Sequence, residues 1–192
     1  MEQIEMEMKE WASQLNEVHL PRWEELPDID LYMDQVMTLM DRYLGVLLSK
    51  QDEKIITPAM VNNYVKLNLI PAPTKKQYNR VHLAYLIAIT ILKQVVAIKE
   101  VRTGILYQAH LSGTRNAYNL FCTQQEYELK KVASLIDPEI VFDAEKEQVP
   151  FDNLALKTAS GAFAQKIAAQ KIVGFQEELL NQKLAENPGP GK

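Results

Sequence analysis

The sequence predicts an all-α protein organised around a short helix, a proline-bounded turn and a long buried helix. Three observations support this prediction. Apolar residues recur at helical spacing along most of the 192 residues. Prolines and short polar stretches separate these periodic segments. Between Val81 and Val96 almost no polar face remains, so a helix there must be buried on most sides.

The N-terminal part predicts two amphipathic helices. Residues 1–18 and 30–48 each place apolar side chains on one helical face, and the second helix is rich in methionine. Core packing is favoured over an adaptable binding surface for that methionine-rich face. Pro21 and Pro27 mark the connector between the two helices, and residues 49–53 form a polar break. The pattern leaves open whether the first helix packs against the body of the chain or against a second subunit.

A short helix is predicted to begin at Thr57-Pro58. The threonine side chain caps free amide groups, and a proline at the first helical position has no hydrogen bond to lose. One face of this helix is apolar, and the opposite face carries Ala59, Asn62, Asn63 and Lys66. Asparagine pairs through two hydrogen bonds with adenine in the major groove, which discriminates by roughly 1–3 kcal/mol. The alternative is a polar helix face that is only solvated.

A proline-stiffened turn follows the short helix. Pro71 and Pro73 hold the chain extended, Lys75 and Lys76 are expected at the tip, and Arg80 lies just beyond it. A loop tipped with lysines can lie along a phosphate backbone. A lysine pair in a loop is usually only solvated, but its place directly after a polar-faced short helix favours the DNA-binding interpretation.

Asn79 is predicted to cap the long buried helix. His82, near the start of that helix, is expected at the surface or in the cap rather than as a ligand. Helical structure is then predicted to continue over residues 98–111, and the segment around Gly113 indicates a loop or a helix junction.

The second half of the chain is also predicted to be helical. The spacing Thr123-x-x-Glu126 resembles a capping box that opens a new helix. Pro138 and Pro150 mark breaks, and residues 152–184 form one long C-terminal helix with an apolar seam. That seam is equally consistent with a dimer interface and with a cover over the protein's own core.

The charge is distributed unevenly along the chain. A net charge of −4 argues weakly against nucleic acid. Residues 54–102 carry eight lysines and arginines but one acid, Glu100, so this segment has a net charge of +7 and the remainder −11. A basic segment on an acidic body is expected where one region meets phosphate, and uneven solvation of surface lysines is the alternative.

Several other classes of protein are disfavoured. The single cysteine, Cys122, cannot form an intrachain disulfide, which fits a reducing cytoplasm. The most apolar run, residues 81–98, is too polar for a membrane span. The three histidines have no metal-ligand spacing, and there is no glycine-rich phosphate loop or catalytic constellation. We therefore expect neither enzyme activity nor a metal or cofactor.

Residues 57–101 resemble the MerR-type winged helix-turn-helix regulators. The matching residues are Tyr64, Leu69-Ile70-Pro71, Lys75-Lys76-Gln77-Tyr78 and Ile98-Lys99-Glu100-Val101. Residues 31–101 also resemble an uncharacterised bacterial domain of unknown function linked to MerR-like folds, through the strings Asn-Tyr-Val-Lys and Leu-Lys-Gln-Val. The chain departs from the MerR pattern at three points. Lysines replace the usual wing arginine, Asn68 replaces the exit glycine, and the opening helix is longer.

The resemblance implies a MerR-like winged helix-turn-helix embedded in a helical bundle with a long C-terminal helix. The predicted segments are an N-terminal arm (1–29), the winged helix-turn-helix domain (30–112), a C-terminal region for dimerisation or effector binding (113–186) and a disordered tail (187–192). The expected partners are double-stranded DNA, a second copy in a homodimer and an unknown small-molecule effector, with no membrane. The residues predicted to contact the major groove and the phosphates are Asn62, Asn63 and Lys66, and Lys75, Lys76 and Arg80, respectively. One cysteine cannot supply a thiolate metal site, so a non-metal-sensing regulator is expected.

Two other functions stay open. The chain can be a helical interaction module that keeps the helix-turn-helix fold without binding DNA. It can also be a small-molecule sensor with a pocket between its C-terminal helices, lined by Tyr107, Tyr118, Phe121 and Tyr127.

Overall fold

The computed structural model describes residues 2–48, 54–143 and 149–186. The helices of these segments are α1 (Glu2–Asn16), α2 (Met33–Leu48), α3 (Pro58–Lys66), α4 (Arg80–Leu92), α5 (Ile98–Ile136) and α6 (Leu154–Glu186). Two short 3₁₀ turns lie at Trp23–Glu25 and Phe151–Asn153. The described residues form no β-strand, only isolated bridges, so the all-α prediction is confirmed. The predicted polar break at 49–53 and tail at 187–192 lie outside the described residues.

Helix α4 lies at the centre of the fold. Ten of its thirteen residues are buried, as the nearly continuous apolar pattern predicted. It packs against α2, α5 and α6. Asn79 caps it, because the Asn79 side-chain oxygen accepts a hydrogen bond from the Val81 amide. This buried helix supports the shorter elements on either side of the turn.

Helix α3 begins where capping chemistry predicted. The Thr57 hydroxyl accepts a hydrogen bond from the Met60 amide at 3.3 Å, and Pro58 takes the first helical position. At the other end the Leu69 amide donates to the Tyr64 carbonyl and the Asn68 amide to the Val65 carbonyl. These two bonds define a Schellman motif, in which Asn68 adopts the left-handed conformation usually taken by glycine, with φ 53°.

Helix α2 begins at Met33, three residues later than predicted. The reason is a backbone pairing upstream. Leu31 exchanges two hydrogen bonds with Tyr78, at 2.7 and 2.8 Å, which holds Leu31 extended and ties the residues before α2 to the end of the turn.

The capping box predicted at Thr123 and Glu126 is wrong. Both residues lie inside α5, which runs from Ile98 to Ile136 with one non-helical residue, Gly113. The predicted junction at Gly113 is confirmed: its φ of 79° and ψ of 155° belong to a region that essentially only glycine adopts. Glu126 instead faces the connector after α1.

Helices α1 and α6 both pack against α5. Ala12 and Leu15 of α1 are fully buried, so the N-terminal arm packs on its own chain. In α6, Gly161 and Phe163 are buried, and a Cβ on Gly161 would lie 3.3 Å from Glu128. The first half of α6 therefore covers the core. In the described segments, no helix combines the length and hydrophobicity needed to span a membrane.

Candidate nucleic-acid interface

The outward face of α3 presents the amides and the cation singled out by the sequence. Asn62, Asn63 and Lys66 are all exposed, whereas Val61 and Tyr64 on the opposite face are buried. Among the described residues, none forms a hydrogen bond or ion pair with the three exposed side chains. Their polar groups are available to an external partner.

Two side chains from neighbouring helices hold α3 from behind. Lys93, at the end of α4, donates from Nζ to the Tyr64 hydroxyl at 3.0 Å. Burial lowers the pKa of Lys93 and raises the pKa of Tyr64. Arg102, on α5, donates from Nε to the Asn68 carbonyl at 3.2 Å. The C-terminal end of α3 is thus fixed to both α4 and α5.

The turn between α3 and α4 is a small hairpin with the two lysines at its tip. Thr74 and Gln77 form an antiparallel bridge, and the Gln77 amide donates to the Thr74 carbonyl at 2.9 Å. Lys75 and Lys76 both have positive φ, 51° and 64°, which a type I′ turn requires. Both side chains are exposed. Left-handed backbone costs a non-glycine residue on the order of 1 kcal/mol, so two lysines here are held against their backbone preference.

Arg80 differs from the other predicted contacts because the protein itself engages it. Its Nε donates to the Leu26 carbonyl at 3.2 Å, and its guanidinium lies 3.6 Å from the Asp28 carboxylate and over the Trp23 ring. The structure thus keeps the α3 face and the hairpin lysines exposed but turns Arg80 towards the connector of residues 22–28.

Sequence reasoning gave Arg102 no place in the site, although the charge count included it. The hydrogen bond to Asn68 puts its guanidinium at the end of α3, where the side chain remains exposed. Only the folding of α5 against α3 brings these residues together, and no local motif marks that contact.

A second feature is an apolar cavity of about 660 Å³ between α4, both halves of α5 and the start of α6. Tyr107, Tyr118 and Phe121 line it, whereas Tyr127, the fourth aromatic predicted there, does not. Tyr127 instead packs edge-on against Phe142. No group of histidine, cysteine and acidic residues with metal-site geometry occurs in the described part of the chain.

Comparison with known families places most of this architecture in one domain. The family described as a domain of unknown function, DUF1836, matches residues 21–136. The chain belongs to this family. No curated protein and no solved structure matches it. The DUF1836 match includes α3, the hairpin, α4 and all of α5, while α1 and α6 lie outside it.

The DUF1836 domain ties its first residues to α5 through a partly buried ion pair. The Glu126 carboxylate accepts two hydrogen bonds from the Arg22 guanidinium, both at 2.6 Å, and one from the Leu20 amide at 2.7 Å. The bond to Glu126 raises the pKa of Arg22. Nearby, the Tyr118 hydroxyl donates to the Pro21 carbonyl at 2.8 Å. The Arg22–Glu126 ion pair and the Tyr118–Pro21 hydrogen bond together fix the connector of residues 22–28, and this connector in turn engages Arg80.

His82 completes the cap of α4 in the DUF1836 domain and is buried, which corrects the expectation of a surface position but confirms its role in the cap. Its Nδ1 accepts a hydrogen bond from the Asn79 amide at 3.0 Å, and its ring packs edge-on against Tyr78. Burial lowers the pKa of His82 below that of an exposed histidine.

His82 should therefore make stability fall as pH falls. Its neutral form is favoured in the folded state, so the unfolded chain binds the proton more readily below about pH 6.5, the ordinary histidine value. The free energy of unfolding, measured with urea between pH 7.5 and 5.0, should decrease more steeply for the native protein than for His82→Gln. Parallel pH profiles for the two proteins would contradict this assignment.

Proposed function

We propose that the chain is a DNA-binding transcription regulator of the MerR-like winged helix-turn-helix type that does not sense metal. In this proposal α3 enters the major groove and the hairpin at 74–77 is the wing. The observation that carries it is the joint exposure of Asn62, Asn63 and Lys66 on one face of a short helix held from behind. A lysine-tipped hairpin follows that helix directly.

The chemistry of the α3 face suits base recognition. Each asparagine side chain presents an amide N–H donor beside a carbonyl acceptor, the pattern that pairs with adenine in the major groove. Lys66 lies one helical turn from Asn62 and Asn63, at the end of α3, within reach of a phosphate. The two amides supply sequence preference in this proposal, and the lysine supplies affinity.

The hairpin suits a phosphate backbone. Lys75 and Lys76 pair with no acid in the described residues and occupy backbone positions that asparagine and glycine would fill with less strain. Strained backbone at two lysines, where other residues would be accommodated more easily, supports a role for their charge. The net +7 of residues 54–102 against −11 elsewhere would orient this side of the molecule towards DNA.

A homodimer is part of the same proposal. The second half of α6 exposes Val173, Leu180 and Leu184, spaced by seven and four residues and therefore on one helical face. Two such faces can pair about a two-fold axis, and a two-fold dimer is the arrangement that matches two half-sites on a duplex.

The same exposed face supports a second candidate function, an interaction module that keeps the helix-turn-helix fold without binding DNA. In that case Val173, Leu180 and Leu184 would meet a different protein. Selection of a duplex sequence distinguishes the two functions, because only the regulator has a preferred sequence.

The test is a selection of duplexes from a random-sequence pool with the intact protein. We expect a preferred sequence to emerge, and Asn62→Ala with Asn63→Ala to reduce its advantage over a scrambled duplex by about 10- to 100-fold. The control is Asn181→Ala, which removes an exposed amide from α6. Failure of the folded protein to enrich any sequence, or an equal effect of the control, would refute the assignment of α3.

A further inference from the structure

We propose that the cavity between α4, α5 and the start of α6 binds a small, largely hydrocarbon molecule that is neutral or positively charged. Its volume of about 660 Å³ falls within the range of about 300–1,000 Å³ typical of small-molecule sites. The site is independent of the proposed DNA face, because none of its lining residues lies on α3 or the hairpin.

The kink in α5 builds the cavity. Gly113 interrupts the helix, and side chains from before and after it, including Val101 and Phe121, line the same space. The adjacent surfaces of α4 and α6 contribute small residues, among them Ala84, Ala88, Ala155 and Ala159. Because these side chains are small, they leave a space between the facing helices that larger side chains would fill. Residues of α4, α5 and α6 line this space.

The polar groups around the cavity are mostly engaged within the protein. The Tyr107 hydroxyl donates to the Asp152 carboxylate, and Gln108 Nε2 donates to the Asp152 carbonyl at 2.6 Å. The Tyr118 hydroxyl is bonded to Pro21. A ligand would therefore meet mainly hydrocarbon, which favours a ligand with few polar groups of its own.

The charges of the lining select against anions. The charged residues that line the cavity are Glu100 and Asp152, both carboxylates. Glu100 is exposed, and its carboxylate has no hydrogen-bond or ion-pair partner within the described residues. An anionic ligand would bring like charges together, whereas a neutral or cationic one would not.

A pair of fluorescent probes with the same aromatic skeleton tests both parts of the proposal. N-phenyl-1-naphthylamine is neutral, and 8-anilino-1-naphthalenesulfonate adds one negative charge. We expect saturable one-to-one binding of the neutral probe to the intact protein and weaker binding of the sulfonate. The double variant Glu100→Gln, Asp152→Asn should narrow the difference in affinity between the two probes by about fivefold for each carboxylate removed.

Filling the cavity locates the binding. Ala155→Trp puts a large ring into the lining from an exposed position on α6, where folding should tolerate it, and should abolish binding of the neutral probe. Ala169→Trp, at an exposed position on the same helix away from the cavity, should leave binding unchanged. Circular dichroism checks that both variants fold.

Four results would overturn the proposal. The first is no saturable binding of the neutral probe, and the second is binding of the sulfonate at least as tight. The third is an Ala155→Trp variant that binds like the native protein. Phe151 and Leu154 line the cavity and also expose apolar surface, so a second copy is the competing occupant. Probe displacement as protein concentration rises, with dimers in sedimentation, would assign the cavity to that copy and refute the ligand site.

Discussion

Replacing Glu126 by glutamine is expected to lower the free energy of unfolding by about 2–3 kcal/mol, the size of a charge-assisted hydrogen bond. The carboxylate accepts two hydrogen bonds from Arg22 and one from Leu20, and its side chain is 12% exposed. Removing the carboxylate leaves the Arg22 guanidinium without its partner, and because that side chain is 27% exposed, solvent compensates the charge in part. The loss is therefore smaller than the roughly 3–5 kcal/mol expected when a fully buried pair is broken. Urea-induced unfolding followed by circular dichroism measures the difference.

A matched exposed pair in the same region provides the control. Arg115 and Glu24 also join α5 to the connector at 2.6 Å, but their side chains are 63% and 51% exposed. Glu24→Gln should therefore cost less than about 1 kcal/mol, because solvent screens such pairs. Equal losses in the two variants would mean that burial does not determine the contribution of Glu126.

The double variant Lys75→Asn, Lys76→Gly should bind any duplex about 50-fold more weakly than the native protein near 0.1 M salt. Each lysine that neutralises a phosphate releases a counterion, so losing two should also make the log–log salt slope shallower by about 1.8. Asparagine followed by glycine is the preferred type I′ pair, so the variant should be at least as stable as the native protein. The effect on DNA is thereby separated from any effect on folding.

The control for this prediction is the exposed lysine pair of α5. Lys130→Asn with Lys131→Gln removes the same charge from a surface outside the proposed DNA face. Its salt slope should match that of the native protein. If both double variants lose affinity equally, net charge rather than the hairpin accounts for binding.

Local chemistry made part of this fold predictable from sequence. Thr57-Pro58 and Asn79 mark helix starts because capping depends on a few adjacent residues, and the structure confirms both. The burial of α4 followed from its apolar pattern alone. Helical periodicity also predicted which face of α3 is exposed, because its apolar and polar residues fall on opposite sides of the helix.

Contacts between distant segments were not predictable. Thr123 and Glu126 have the spacing of a capping box, but that spacing also fits one face within a helix, and only the partner Arg22, 104 residues away, shows the role of Glu126. The engagement of Arg80 by Leu26 and Asp28 is of the same kind. These pairings depend on how the connector crosses α5, which no single stretch of sequence encodes.

The place of Lys75 and Lys76 at the tip of the turn was predicted, but their positive φ was not, for a different reason. Lysine disfavours positive φ, so local preference argues against the conformation that the hairpin adopts. The pairing of Tyr78 with Leu31 helps to hold this geometry from outside the turn. A conflict between local preference and structure is expected at functional or strained sites.

The most direct test of the central claim is a titration of the intact protein with an unselected labelled duplex, followed by fluorescence anisotropy over a range of salt concentrations. If Lys66, Lys75 and Lys76 each meet a phosphate, the logarithm of the association constant should fall linearly with the logarithm of salt, with a slope of about −2.7 or steeper. A folded protein that does not bind at low salt, or that binds with a slope near zero, would contradict the assignment of this surface to DNA.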